Sequence, residues 1–219
     1  MALDCTNLAY GDECSQMNPF APAYFISASI AAWVGYSTWQ HPETRGARLL
    51  AGLMYAAAWW AVAEGSGAFS SSAPVKIICS QIAYLGIQSV PVLYFLFAVT
   101  YSRRNQWFSQ LTIGLLWVIP MVTIFLVFTN EQHGLVWSHF TIIETAWGPD
   151  LVYGRGVWFW ISAAYLYSMS LCATILLIIA VLRNLYRSRL QTILVIAGAL
   201  APWAANFVYL SGLNPWPSV

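Results

Sequence analysis

Of the 219 residues, 59% are hydrophobic and only 8% are charged, against about 25% charged in an average soluble domain, so water is excluded as the main solvent. A net charge of +1, with the basic residues at the ends of apolar stretches, leaves no footprint for nucleic acid or acidic substrates. The composition predicts an all-α integral membrane protein, a single bundle of six transmembrane helices with five to seven as the range, whose first partner is the lipid bilayer.

Residues 1–18 form a polar tail with Asp4, Asp12 and Glu13 and no basic region, so a cleavable signal peptide is not expected and the first apolar stretch stays in the membrane. Cys5 and Cys14 are a candidate disulfide there, provided the tail faces an oxidising compartment. Residues 19–40 are the first span, long enough at 1.5 Å per residue to cross about 30 Å of hydrocarbon. A polar turn leads to the second span, residues 48–69, which Ser70 to Ser72 and Pro74 end before the third, residues 76–101. Arg103 and Arg104 precede the fourth span, residues 107–128, which contains Pro120. Residues 129–156 make the one connection large enough to have structure of its own. The fifth span covers residues 157–182, a basic stretch from Arg183 to Arg189 follows, and the sixth span runs over 190–213 before a short end at 214–219.

The basic residues orient this path. Arg45, Arg48, Arg103, Arg104, Arg183, Arg187 and Arg189 fall on one side and only Lys76 and Arg155 on the other. Short Lys- and Arg-rich loops stay in the cytoplasm, so the N-terminus, the loop 129–156 and the C-terminal end are expected outside. Trp137, Trp147, Trp158, Trp160 and Trp216 then lie near the outer interface, with Trp39 and Trp107 near the inner one.

Four stretches are specific enough to carry a resemblance. They are Gln81-Ile82-Ala83-Tyr84-Leu85-Gly86 with Pro91 and Tyr94-Phe95-Leu96-Phe97; Thr129-Asn130 with His133 and Trp137; Gly156-Val157-Trp158-Phe159-Trp160; and Arg189-Leu190-Gln191 through Gly198, Pro202, Asn206 and Tyr209 to Gly212-Leu213 and Pro215. In this order and spacing the chain resembles the seven-helix transmembrane sensory region at the N-terminus of many prokaryotic sensor histidine kinases. Glu64, after Trp59-Trp60-Ala61-Val62-Ala63, resembles the acidic position of that family's second helix. The resemblance implies a signal-input module of a two-component system in a prokaryotic cytoplasmic membrane. In the family an acidic loop and a seventh helix follow the Gly-Leu-x-Pro stretch, whereas this sequence stops at Val219. No kinase activity is therefore expected within these residues. The alternative reading is a non-catalytic accessory subunit that packs against partner helices, lipids or pigments, or associates with itself.

Glu64 is the one charge inside a span, where an ionisable group costs roughly 2.5 kcal/mol or more and turns inward toward a partner. Helical rise places Asn206 at its height and brings Gln81, Tyr84 and Tyr165 to a similar level. With Tyr209 these form an expected outer-leaflet polar cluster, serving either as a hydrogen-bond network between helices or as a ligand site. Pro91, Pro120 and Pro202 are helix-kink candidates, with Gln88 beside the first.

Asn130, His133 and Trp137 are the outer-loop candidates. His133 and His139 with Glu131 and Glu144 would suit a metal only loosely, and we read His133 as fixing the loop by a hydrogen bond. No histidine within a span offers a haem ligand pair, and no mid-membrane lysine offers a retinal attachment. Cys79 and Cys172 read as packing residues. No cofactor or metal is expected, and a lipid or hydrophobic small molecule is the ligand class that the aromatic-rich walls suit.

Overall fold

A computed structural model describes residues 21–70, 72–102, 109–145, 148–183, 196–198, 200 and 203. The tail with Cys5 and Cys14, the C-terminal end, and Pro202, Asn206 and Tyr209 lie outside the described residues. Among the described residues, seven helices and one hairpin follow one another: α1 (Ala21–Trp39), α2 (Ala47–Phe69), α3 (Ala73–Tyr101), α4 (Gln110–Leu116), α5 (Val118–Phe128), α6 (Asn130–His133), β1 (Trp137–Thr145), β2 (Gly148–Arg155) and α7 (Val157–Leu182). By length and composition, α3, the α4–α5 rod and α7 can each cross a membrane. The architecture is a multi-pass helical bundle.

Its outside is apolar and its inside is partly polar, the reverse of a water-soluble globule. Leu111, Leu115, Val118, Met121 and Phe125 line one exposed face of the α4–α5 rod, and Leu171, Ile175, Ile179 and Leu182 line one of α7. Gln88, Thr123, Ser162 and Thr174 are buried instead. Hydrocarbon around the bundle accounts for both facts, since apolar side chains lose nothing there and polar ones must find partners within the protein.

Small residues set how closely the helices approach. Ala28 and Gly35 of α1 are buried, as are Ala51, Ala58 and Gly65 of α2. The tightest approach is at Gly86 of α3, where a Cβ would stand 2.7 Å from both the Ala56 carbonyl oxygen and the Trp60 Cβ. Only glycine permits α2 and α3 to sit this close. Trp59 fastens the same contact by donating from Nε1 to the Ile82 carbonyl at 3.1 Å. Helix α3 is central, with α2, α5, α7 and β2 all packed on it.

The long connection between α5 and α7 adds an element that composition does not announce. Strands β1 and β2 pair antiparallel, with Thr141 opposite Val152 and Thr145 opposite Gly148, and the register shifts between Trp137 and Phe140. Aromatic and β-branched residues at Trp137, Phe140, Thr141, Val152 and Tyr153 suit a pleated surface. Asn130 holds the start of β1. Its Oδ1 accepts from the backbone N–H groups of Val136 at 3.1 Å and Trp137 at 3.0 Å, and its Nδ2 donates to the Trp137 carbonyl at 2.9 Å. Gly134 makes the reversal before it with φ 60°. The base of the hairpin is closed onto the start of α7 where Gly156 N–H donates to Val136 O and Trp158 N–H to Leu135 O, both at 2.9 Å.

Candidate functional site

The expected polar cluster separates into two places. On α2, Glu64 Oε1 accepts from Trp60 Nε1 at 3.2 Å, one turn back on its own helix. Gln81 Nε2 donates to the Val127 carbonyl at 3.3 Å, satisfying one of the last carbonyls of α5. Tyr84 meets Trp137 edge to face, with centroids 5.4 Å apart.

Tyr165 belongs to neither contact. Its hydroxyl donates to the Leu116 carbonyl at 2.7 Å, at the break between α4 and α5. In an unbroken helix that carbonyl would accept from residue 120, but Pro120 has no N–H. Tyr165 therefore supplies from α7 the hydrogen that Pro120 cannot. Pro120, a helix-kink candidate, stands in the first turn of α5 just after the interruption at Trp117, and Tyr165, expected by height in the outer cluster, bonds the carbonyl left open there.

Pro91 sits inside α3, and two cavities meet beside it. The first, about 290 Å³, lies between α2, α3, α5 and α7 beneath Val136 at the base of the hairpin. The second, about 250 Å³, continues from Val90, Pro91, Tyr167 and Ser170, which line both, to Tyr94 and Trp203. Each is close to the smallest volume usual for a small-molecule pocket, about 300 Å³. Their walls are mainly aromatic and aliphatic, and among the described residues no Lys, Arg, His, Asp or Glu lines either one.

Polar side chains stand at three levels along this space. At the level nearer the hairpin Gln88, 1% exposed, donates from Nε2 to Ser162 Oγ at 2.9 Å, and Ser162 Oγ donates back to Oε1 at 3.3 Å. A glutamine amide carries two N–H donors, so one remains for something else. At the junction, the Ser170 hydroxyl makes no hydrogen bond among the described residues, whereas Ser168 on the same helix bonds back to the Ala164 carbonyl at 2.7 Å. At the end farther from the hairpin Thr174 donates to Ser170 O at 2.9 Å. Its oxygen lies 3.2 Å from the Tyr94 hydroxyl and 3.1 Å from Trp203 Nε1. A threonine hydroxyl has one hydrogen, already committed to Ser170, so Tyr94 and Trp203 must both be donors.

The loop after α5 is braced by the same logic. Thr129 Oγ1 donates to Phe125 O at 2.9 Å, so the 3.1 Å contact with His133 Nε2 requires the imidazole to donate. Its Nδ1 then accepts from the Leu135 N–H at 3.0 Å. His133 is thereby assigned as the neutral Nε2–H tautomer with both nitrogens engaged. Among the described residues no group of three or more His, Cys, Asp or Glu side chains is placed to hold a metal.

Trp137 is the centre of the cap, 5% exposed and packed on Tyr84, Phe140 and Tyr153. Tyr153 in turn shares a 2.7 Å hydrogen bond with Ser80 of α3. Ser162, Ser170 and Thr174 were not singled out by sequence reasoning, because isolated hydroxyls are common in membrane helices and carry no spacing signal. Gln88 did carry one, as a long polar side chain within an apolar run.

The family described as the N-terminal 7TM region of histidine kinase matches residues 23–219. No curated protein and no solved structure matches the chain.

Proposed function

The chain belongs to the family of N-terminal 7TM regions of histidine kinases, and from that membership we propose that it is the signal-input module of a membrane sensor. It perceives and transmits, and has no catalytic role of its own. The observation that carries this reading is the double attachment of the hairpin to α3, through Ser80 to Tyr153 and through Tyr84 to Trp137. Both attachments lie within about one turn of each other on the central helix.

A helix held at one end and packed along its length moves as a rod, and a proline is where its direction can change. A shift of the cap is therefore felt at Pro91, and beyond it at Tyr94, which hydrogen-bonds Thr174 of α7. Small helix displacements of this type are an established form of switching. The orientation expected from the arginines supports the direction of travel, since Arg45, Arg48 and Arg183 lie at the opposite end of the bundle from the hairpin. The cap then faces outside, the N-terminus lies on the same side, and the signal passes inward.

Hydrogen exchange of the purified chain in nanodiscs tests the linkage. Trp137→Ala and Tyr153→Phe should each raise exchange in α3 from Ser80 to Tyr94 while leaving α1 unchanged. Faster exchange confined to the hairpin would remove the basis for the reading.

A further inference from the structure

The two cavities beside Pro91 adjoin at shared walls of Val90, Pro91, Tyr167 and Ser170, and the chemistry of the combined space selects its occupant. We propose that it binds an uncharged, elongated amphiphile whose carbonyl or hydroxyl group meets Gln88 and whose apolar chain runs past Pro91 toward Tyr94 and Trp203. This names the ligand class of the sensory module proposed above and rests on that reading for its role, though not for binding itself.

Three observations carry the inference. First, the side chain of Gln88 is buried, lines the cavity nearer the hairpin and, among the described residues, keeps one N–H free after its bond to Ser162. A buried donor without an acceptor is costly, and a carbonyl or hydroxyl oxygen in the cavity removes that cost. Second, among the described residues no charged side chain lines either cavity. A carboxylate, phosphate or ammonium would be stripped of water with no counter-charge from the described walls, which disfavours fatty-acid anions and phospholipid headgroups. Third, the polar groups are spread along the axis. Ser162 and Ser170 are eight residues apart on α7, about 12 Å at the helical rise, with apolar wall between them from Ala163 and Leu166. A compact polar ligand would leave most of that length empty, whereas an extended chain fills it. The Ser170 hydroxyl stands midway and can meet a second oxygen on the chain.

The test uses the full chain in nanodiscs, with unfolding followed by tryptophan emission and 2-decanone, decane and decanesulfonate as probes. The ketone should raise the midpoint most, decane less, and the sulfonate no more than it does by partitioning into empty lipid. Gln88→Leu should reduce the ketone response to that of decane, and Ala163→Trp, which fills the cavity nearer the hairpin, should abolish both. Equal responses to ketone and sulfonate, or a ketone response that survives Ala163→Trp in a folded protein, would overturn the proposal. Because Ala163→Trp can also disturb α3–α7 packing, the wild-type chain is labelled in parallel with a diazirine-bearing methyl ketone and the adducts are mapped. Adducts between Ile87 and Tyr94 of α3 and between Ser162 and Ser170 of α7 support the site. Adducts confined to the lipid-facing row of Leu111, Leu115 and Phe125 refute it. Binding is read directly, so its failure leaves the hairpin-to-α3 linkage standing, and loss of the linkage leaves binding standing.

Discussion

If Tyr165 supplies the hydrogen that Pro120 cannot, the two positions are energetically coupled although they lie on different helices. Tyr165→Phe removes only the hydroxyl and leaves the Leu116 carbonyl without a donor. A single hydrogen bond contributes about 0.5–1.5 kcal/mol, and a stranded buried polar group costs about 1–3 kcal/mol. Measured interhelical bonds within membranes average about 0.6 kcal/mol, with the largest near 1.7. The 2.7 Å distance and the missing backbone donor place this bond toward the upper end, so a loss of about 1–1.5 kcal/mol is expected. Pro120→Ala returns an N–H to position 120, which can bond to Leu116 as in an uninterrupted helix. In that background Tyr165→Phe should cost almost nothing. The assay is reversible unfolding of the four proteins of the cycle in mixed micelles, and the expected coupling is about 1 kcal/mol. Additive losses, with Tyr165→Phe equally harmful in both backgrounds, would refute the assignment of the tyrosine as the proline's partner.

Gly86→Ala should be among the most destabilising single-methyl changes in the chain, by about 1–3 kcal/mol, because the added Cβ meets a backbone oxygen and the root of Trp60. Thermal unfolding measures it, and an unchanged midpoint would mean that α2 and α3 can separate freely. Asn130→Ala strands two N–H groups and a carbonyl at the start of β1, so protease cutting within residues 134–155 should rise while helical circular dichroism is retained. Glu64→Gln keeps an oxygen for Trp60 and removes a charge from the apolar layer, so the unfolding midpoint should hold or rise. A clear fall would reveal a cationic partner for the carboxylate.

Helices were legible wherever an apolar run is long and uninterrupted, because hydrocarbon leaves the backbone no alternative to internal hydrogen bonding. Helix α7 is the clearest instance, beginning after Gly156 and ending before the basic stretch at Arg183. The hairpin was harder to foresee. Its strands are short, partly polar and flanked by turn residues, and the same features describe an irregular loop. Helical rise is a sound guide to height but says nothing about azimuth, so it grouped Tyr165 with Glu64 although the two face different neighbours. The acceptor that claims Tyr165 is a main-chain carbonyl, and a carbonyl has no letter in the sequence. Pro120 was the visible half of that pair. Gln88 was visible too, but its partner Ser162 lies 74 positions away and only folding brings them together.

Thr174 shows how little material can couple three segments. Its one oxygen receives Tyr94 from α3 and the Trp203 indole, while its proton is held by the turn of α7 that precedes it. Neither visitor can leave without trading a protein acceptor for hydrocarbon, and threonine cannot rotate to follow one because its own proton is engaged. Tyr94 and Trp203 are thus latched to a common post, and whatever nudges the stretch around Trp203 must carry the middle of the bundle with it or break the latch outright.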